Sequence, residues 1–131
     1  MVFYGEYQVS FTGSGRIVLP KKIRELLKGN TFVLARGFDG CLSGFDKDDW
    51  EQRAKELMTV SLLDREHIDQ RRYLFSSAVY IDIDDQGRFV IPKSLLTHAQ
   101  LNDKAWIAGV GDRFEIWEPG RWQKYMDQVK T

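Results

Sequence analysis

Residues 12–24 read TGSGRIVLPKKIR, and residues 84–96 read DDQGRFVIPKSLL. Both carry one pattern: a turn that ends in glycine, an arginine, three apolar strand formers, a proline and a lysine. Gly15 and Gly87, Arg16 and Arg88, Pro20 and Pro92, and Lys21 and Lys93 each stand 72 positions apart. The spacing continues without a gap through Asn30/Asn102 and Gly37/Gly109 to Trp50/Trp122. Self-similarity at a fixed period reads as one structural unit used twice. A basic residue at the turn of each unit suggests a repeated contact with a repeated partner.

Working outward, Phe3, Gly5, Tyr7, Val9 and Phe11 alternate with Tyr4, Glu6, Gln8 and Ser10, the period of a strand. Gly13-Ser14-Gly15 is a turn, because glycine reaches positive φ cheaply. Ile17-Val18-Leu19 restarts a short strand. Pro20 sits where a helix can begin, with φ preset and no donor to waste. KKIRELLKGN predicts a short helix stopped by Gly29, followed by the β runs TFVLARG and CLSGF. The same order returns at 79–117. Asp46 is placed to cap a helix carrying Trp50, Ala54, Leu57 and Met58 at helical spacing. Ser61 with Asp64 offers a variant capping box for a helix over about 62–75. Pro119 starts a last helix with Trp122, Met126 and Val129.

Composition bounds the class. A chain of 131 residues buries roughly two-thirds of its unfolded surface, enough for a real core. Its lone Cys41 excludes an intrachain disulfide and a cysteine-rich metal site, which fits a reducing compartment. MVFYGEYQV lacks the basic start and apolar run of a signal peptide, and no stretch approaches the ~18 apolar residues of a membrane span. The expectation is a soluble, cytoplasmic protein. Net charge is zero, unusual for a nucleic-acid binder. Locally, residues 16–28 set Arg16, Lys21, Lys22, Arg24 and Lys28 against Glu25 alone, an excess of +4. In the matching window Asp84 and Asp85 cancel Arg88 and Lys93. A solvated charged face is the plain alternative for such a window.

The N-terminal FYGEY, the two GR-x-x-x-P turns, ARGFDGCL at 35–42 and GVGDRFEIW at 109–117 resemble the MraZ family of bacterial transcriptional regulators. The resemblance runs nearly end to end. It implies an α+β fold made of tandem swapped-hairpin AbrB-like β-barrel repeats with additional packing helices. The repeats would be SpoVT-AbrB-like units at 5–48 and 77–120, with connecting helices at 49–76 and a C-terminal helix at 121–131. It also implies sequence-selective binding of double-stranded DNA at repeated boxes upstream of cell-division and cell-wall genes, a ring-like homo-oligomer, and association with the nucleoid. The family pattern pairs an acid with the arginine four residues later. Asp84 and Arg88 complete the second copy. In the first, Thr12 stands where the acid is expected. Leu96 stands where the second repeat of the family often has arginine.

The residues support a binding role physically. Arginine on a β-turn can offer its fork to guanine O6 and N7 or to phosphate. Gly15 and Gly87 let the backbone approach a duplex closely. Lys21, Lys22, Arg24 and Lys93 can anchor phosphates without reading sequence. Asp84 is assigned to organise its turn, and pinning a turn is also the structural alternative for Arg88. Arg36, Asp39, Asp112 and Arg113 follow strands and are candidates for ion pairs at an interface. Trp50 and Trp122 read as core anchors, Cys41 as a small buried hydrophobe, and His67 and His98 as packing or surface residues without metal-ligand spacing. No catalytic constellation is legible: no nucleophile elbow, no H-E-x-x-H, no Walker loop. No cofactor or small-molecule substrate is indicated. Two other readings stay open, an AbrB-type antitoxin with a toxin protein as partner, and an oligomeric scaffold with incidental DNA affinity.

Overall fold

A computed structural model describes residues 1–59, 61 and 63–129. The chain runs β1 (Glu6–Ser10), β2 (Arg16–Val18), α1 (Lys21–Arg24), β3 (Thr31–Arg36), a 3-10 turn (Phe38–Gly40), β4 (Leu42–Asp46), α2 (Lys47–Met58) and α3 (Arg65–Phe75). It continues with β5 (Val79–Asp82), β6 (Arg88–Val90), α4 (Lys93–Ala99), β7 (Lys104–Gly109), β8 (Phe114–Trp117) and α5 (Pro119–Val129). The α+β class therefore holds. Every element of the first half except α3 and the 3-10 turn has a counterpart among the described residues of the second.

Six strands form one antiparallel sheet in the order β1-β7-β8-β4-β3-β5, and β2 pairs with β6 in a separate ribbon. Read backwards, that order exchanges the two repeats, so a pseudo-two-fold axis passes between β4 and β8. The registers obey it. Ser43 lies opposite Glu115, its own counterpart, and Ile17 lies opposite Phe89, likewise its own counterpart. Both outer strands are paired to the other repeat, β1 to β7 and β5 to β3.

One core serves both repeats. Ile17, Leu19, Ile23, Phe32 and Leu34 of the first half pack with Phe89, Ile91, Leu95, Ile107, Phe114 and Ile116 of the second, all buried. Phe32 meets Phe89 edge-on at 5.1 Å and Phe114 at 5.3 Å between ring centroids. Burying each such side chain contributes on the order of 1.5–3 kcal/mol. A second cluster of Val33, Ala35, Phe45 and Trp50 lies on the other face of the sheet, under α2 and α3.

Several local expectations change. The offset of 72 does not hold through β7. Leu34 pairs with Gly44, but Ile116, the counterpart of Gly44, pairs with Ile107 rather than Trp106. The slip of one residue puts Ala105 and Ile107 in the core and leaves Lys104 exposed. A slip of one exchanges strand faces, so the buried set decides the register. Helix α1 ends at Arg24, well before Gly29, and continues as tight turns from Leu26 N–H to Ile23 O and Leu27 N–H to Arg24 O. Asp46 stands at the N-cap of α2 without a side-chain cap; its Oδ1 instead accepts Lys28 N–H at 2.9 Å. Asp64, not Ser61, caps α3, accepting Glu66 N–H at 3.1 Å. Position 62, where that helix was expected to begin, lies outside the described residues, as do 130 and 131 of the C-terminal helix.

Helix α3 is locked to β3 by Arg36, whose guanidinium donates to Tyr73 O at 2.8 and 3.0 Å. Of the four residues expected to form ion pairs at an interface, Asp112 and Arg113 pair within the chain, Asp112 with Arg53 at 3.2 Å and with Arg113 at 3.1 Å, whereas no ion pair of Arg36 or Asp39 is found among the described residues. Trp50 is buried, whereas Trp122 is half-buried against Trp117, with Nε1 donating to Glu6 at 3.1 Å. Cys41 is fully buried, and desolvation, followed by the nearby Glu115 carboxylate, pushes its thiol far up. Because Phe32 touches aromatic rings from two strands of the other repeat, Phe32→Ala is expected to lower unfolding free energy by about 3–5 kcal/mol in denaturant titration. A loss under about 1 kcal/mol would mean that the site collapses and that the shared aromatic contact does not hold the repeats together.

Candidate nucleic-acid interface

The ribbon β2·β6 has two faces because strand side chains alternate. Ile17 and Phe89 point inward and are buried. Arg16, Val18, Arg88 and Val90 point outward. Arg16 lies opposite Val90, and Val18 lies opposite Arg88. The two arginines therefore stand on one diagonal of the face and the two valines on the other. Arg16 and Arg88 also line one groove of about 390 Å³ together with Tyr80, Asp82 and Asp84. Val18 and Val90 stay 36% and 46% exposed, apolar groups on a face that none of the described residues covers.

Each turn is closed by its arginine. Thr12 N–H donates to Arg16 O at 2.8 Å, and Asp84 N–H to Arg88 O at 2.9 Å. Gly15 at φ +74 and Gly87 at φ +80 occupy the left-handed region that favours glycine. Both glycines are buried. A Cβ on Gly15 would lie 2.7 Å from Ile91 O, and one on Gly87 would lie 2.5 Å from the Arg24 guanidinium carbon. So each turn rests on the opposite repeat. Ile91 N–H donates to Gly15 O at 2.8 Å, and Leu19 N–H to Gly87 O at 2.9 Å.

Asp84 organises its turn through both oxygens. Oδ1 accepts Gln86 N–H and Arg88 N–H, each at 2.9 Å, and Oδ2 accepts Arg88 Nε at 2.9 Å. These bonds hold its carboxyl below the ordinary 3.8, the backbone N–H of Arg88 most strongly, against a smaller opposing effect of desolvation. The Arg88 guanidinium is half-buried and committed to Asp84. Arg16 is exposed, and no side-chain hydrogen bond or ion pair holds it among the described residues.

The flanking bases sit unequally. Lys21, Lys22 and Lys93 are exposed at the starts of α1 and α4, just past Pro20 and Pro92. Lys21 makes only a loose contact with Glu25 at 3.9 Å. Arg24 is not on the open face. It is half-buried, donates Nε to Leu19 O at 3.1 Å, and lies against Gly87. Val18, Val90, Tyr80 and Asp82 are members of the site that the motif alone did not single out. Strand alternation from Arg16 and Arg88 points to the two valines, whereas Tyr80 and Asp82 arrive only through the fold.

Such an arrangement can present two guanidinium forks and an apolar diagonal to a surface about as wide as two strands. It defines a class: a duplicated α+β protein that displays paired arginines on a two-stranded ribbon. Family models described as "MraZ protein, putative antitoxin-like" match residues 2–73 and again 74–131. The chain is 40% identical to the "Transcriptional regulator MraZ" of Ligilactobacillus salivarius over 129 residues, covering 98% of this chain and 90% of that protein. It is 39% identical to the protein of the same name from Roseiflexus castenholzii over 128 residues, 98% and 89% of the two chains. With the Acetivibrio thermocellus protein of that name the identity is 36% over 124 residues, 95% and 86% of the chains. The chain belongs to the MraZ family.

Because Asp84 is depressed in the folded state, its contribution is fully present at neutral pH and disappears as pH falls through the carboxylate range. Asp84→Asn keeps a neutral acceptor but loses the charge. Its Tm is expected to lie below that of the wild type at neutral pH, and the gap is expected to close as pH drops below 3.8. Thermal melts across pH check this; a gap independent of pH would mean that the charge does not organise the turn.

Proposed function

We propose that this chain is a DNA-binding transcriptional regulator that reads sequence with the β2·β6 ribbon. The observation that carries the reading is the pairing of Arg16 and Arg88 on one uncovered face. The major groove of B-DNA, about 12 Å wide, admits a two-stranded ribbon. The arginine forks match guanine O6 and N7, and Val18 and Val90 suit the thymine methyl. Lys21, Lys22 and Lys93 flank the ribbon where phosphates would pass, and fix position without reading bases. Gly15 and Gly87 were expected to let the backbone approach a duplex; buried against the opposite repeat, they instead seat the turns that display the arginines. The relatives' name, transcriptional regulator, supports the class of function. By resemblance to the family, the targets are repeated boxes upstream of cell-division and cell-wall genes, bound at the nucleoid in the cytoplasm. The protein acts by binding, without a catalytic step, cofactor or small-molecule substrate.

The same reading treats the two repeats as swapped-hairpin, AbrB-like units spanning about 5–48 and 77–120. Their barrel is completed by exchange of strands. Cross-repeat pairing of β1 with β7, β5 with β3 and β2 with β6 supports it. Among the described residues no helix is long and apolar enough to cross a membrane. The chain further assembles with itself into a ring. Met1, Val2 and Tyr4, each about 60% exposed, and Val110 flank the Phe3–Gly111 bridge and offer an apolar contact. Repetition of the ribbon around a ring lets weak contacts combine through effective concentration. Light scattering at micromolar concentration is expected to give a mass several times 15.3 kDa. A monomer at all concentrations would remove the ring.

The decisive experiment is a gel shift on the DNA upstream of the chain's own gene, over a salt series. Affinity is expected to fall steeply, with a log–log slope of about −0.9 per phosphate contacted. Arg16→Ala is expected to weaken binding more than Arg88→Ala, since Arg88 is shared with Asp84; one bidentate base contact is worth about 1–3 kcal/mol. Both variants should melt near the wild type. A slope near zero favours an incidental scaffold affinity, and a collapse in Tm for Arg16→Ala makes that arginine structural.

A further inference from the structure

The two turns occupy equivalent positions and are held very differently. Five hydrogen bonds of 2.9 Å close the second turn: Asp84 N–H to Arg88 O, Gly87 N–H to Asp84 O, and the three accepted by the Asp84 carboxylate. The first turn has one bond of 2.8 Å, from Thr12 N–H to Arg16 O. Its other two, Arg16 N–H to Gly13 O and Thr12 Oγ1 to Arg16 O, are stretched to 3.5 and 3.4 Å. The first turn also has two glycines, Gly13 and Gly15, where the second has one, so its backbone loses more freedom when ordered.

The supports beneath the turns differ in the same direction. Under the second turn, Leu19 is clamped on both sides: its N–H donates to Gly87 O, and its O accepts Arg24 Nε. The Arg24 guanidinium fills the space over Gly87. Under the first turn the matching backbone bond, Ile91 N–H to Gly15 O, is present. The residue matching Arg24 is Leu96, which brings a methyl to Gly15 and has no donor for Ile91 O. Beside it opens a cavity of about 890 Å³ lined by Phe11, Gly15, Ile91, Leu96 and Leu101. The first turn therefore lacks the acid in its loop and the guanidinium beneath it, and it has room to move.

We propose that Arg24 is a positioning residue that locks the second turn from the opposite repeat, and that Thr12 and Leu96 leave the first turn adaptable. The two turns then read DNA unequally. The second, preorganised, discriminates between bases, because a fixed fork cannot re-aim when the base is wrong. The first contributes affinity and tolerates sequence, because Arg16 can reseat on another base or on phosphate. This division of labour rests on the DNA-binding reading; the locking role of Arg24 does not.

Amide hydrogen exchange on the free protein tests the locking. The Gln86 and Arg88 amides are expected to exchange at least about tenfold more slowly than the Arg16 amide, which corresponds to roughly 1.4 kcal/mol of opening free energy. Arg24→Leu, which copies position 96, should speed the Gln86 and Arg88 amides part of the way towards the rate of the first turn, the Asp84 bonds being retained, and leave Arg16 unmoved. Thr12→Asp with Leu96→Arg, which installs both supports, should slow the Arg16 amide. Equal protection of the two turns in the wild type, or a second turn unmoved by Arg24→Leu, overturns the proposal. If Arg24→Leu raises exchange throughout the core, the Thr12→Asp/Leu96→Arg pair decides, and an unchanged Arg16 amide overturns it. For the reading of DNA, the probe is the tightest duplex selected from a random-sequence pool, with each base pair then replaced singly. Cleavage from a reagent attached at Ser14→Cys marks the base pairs under the first turn, since Cys41 is buried. Replacements under the second turn should cost about tenfold or more in affinity and those under the first only a few-fold. Equal costs overturn the division of labour. Failure of every variant to bind any duplex, with the exchange pattern as expected, sinks the DNA reading and leaves the role of Arg24 standing.

Discussion

The antiparallel pairing of β2 with β6 is the constraint on which the rest depends. Each strand is three residues long and comes from a different repeat. A ribbon this short is not stable by its own hydrogen bonds. It persists because Ile17 and Phe89, its central pair, are driven into the shared core, where Phe32 meets Phe89. Burial of the middle residue on each strand forces its neighbours outward. That is why Arg16 and Arg88 share a face, and why an apolar core and a basic surface are two consequences of one alternation.

The duplication supplies near-symmetry, and the departures from it carry the chemistry. A two-fold arrangement of identical turns would offer DNA two equal contacts. Here Thr12 and Leu96 withdraw supports from the first turn, while Asp84 and Arg24 supply them to the second. Charge does not follow that division. Asp84 neutralises part of Arg88, but β2 leads from Val18, which faces Arg88, to Lys21 and Lys22, and β6 leads from Val90, which faces Arg16, to Lys93. A chain of zero net charge can still place basic groups around this ribbon, because electrostatic steering responds to the local field rather than to the total.

Helix α3 breaks the symmetry on the opposite side of the sheet. It has no counterpart among the described residues of the second repeat, and Arg36 ties it to β3 through Tyr73. With α2 it covers Phe45 and Trp50, so Trp50 is buried while its counterpart Trp122 is half-exposed on Trp117. Equal residues at equal spacing therefore end in unequal surroundings, and an anchor role read from Trp122 alone was only partly right. The one-residue slip of β7 is a separate departure: four residues separate Gly109 from its partner Phe114, against five between Arg36 and Leu42. Helix α4 runs on to a left-handed cap at Gln100, a turn longer than α1, and the chain re-enters the sheet out of step.

The sequence by itself determined the duplication, the α+β class, the order of elements, both glycine-arginine turns and Asp84 as the organiser of one of them. These were legible because turn chemistry, strand alternation and proline positions are local, acting within a few residues of chain. Tertiary structure alone decided that the two GR strands pair with each other, that Arg24 turns inward to Leu19 and Gly87 while Lys21 and Lys22 stay out, that Asp46 serves Lys28 instead of its own helix, and that β7 slips by one. Each of these joins residues far apart in the chain. Each is settled by which groups must be buried and which donors must then find acceptors. A repeat in sequence states that two units are alike; it does not state that each unit is completed by the other.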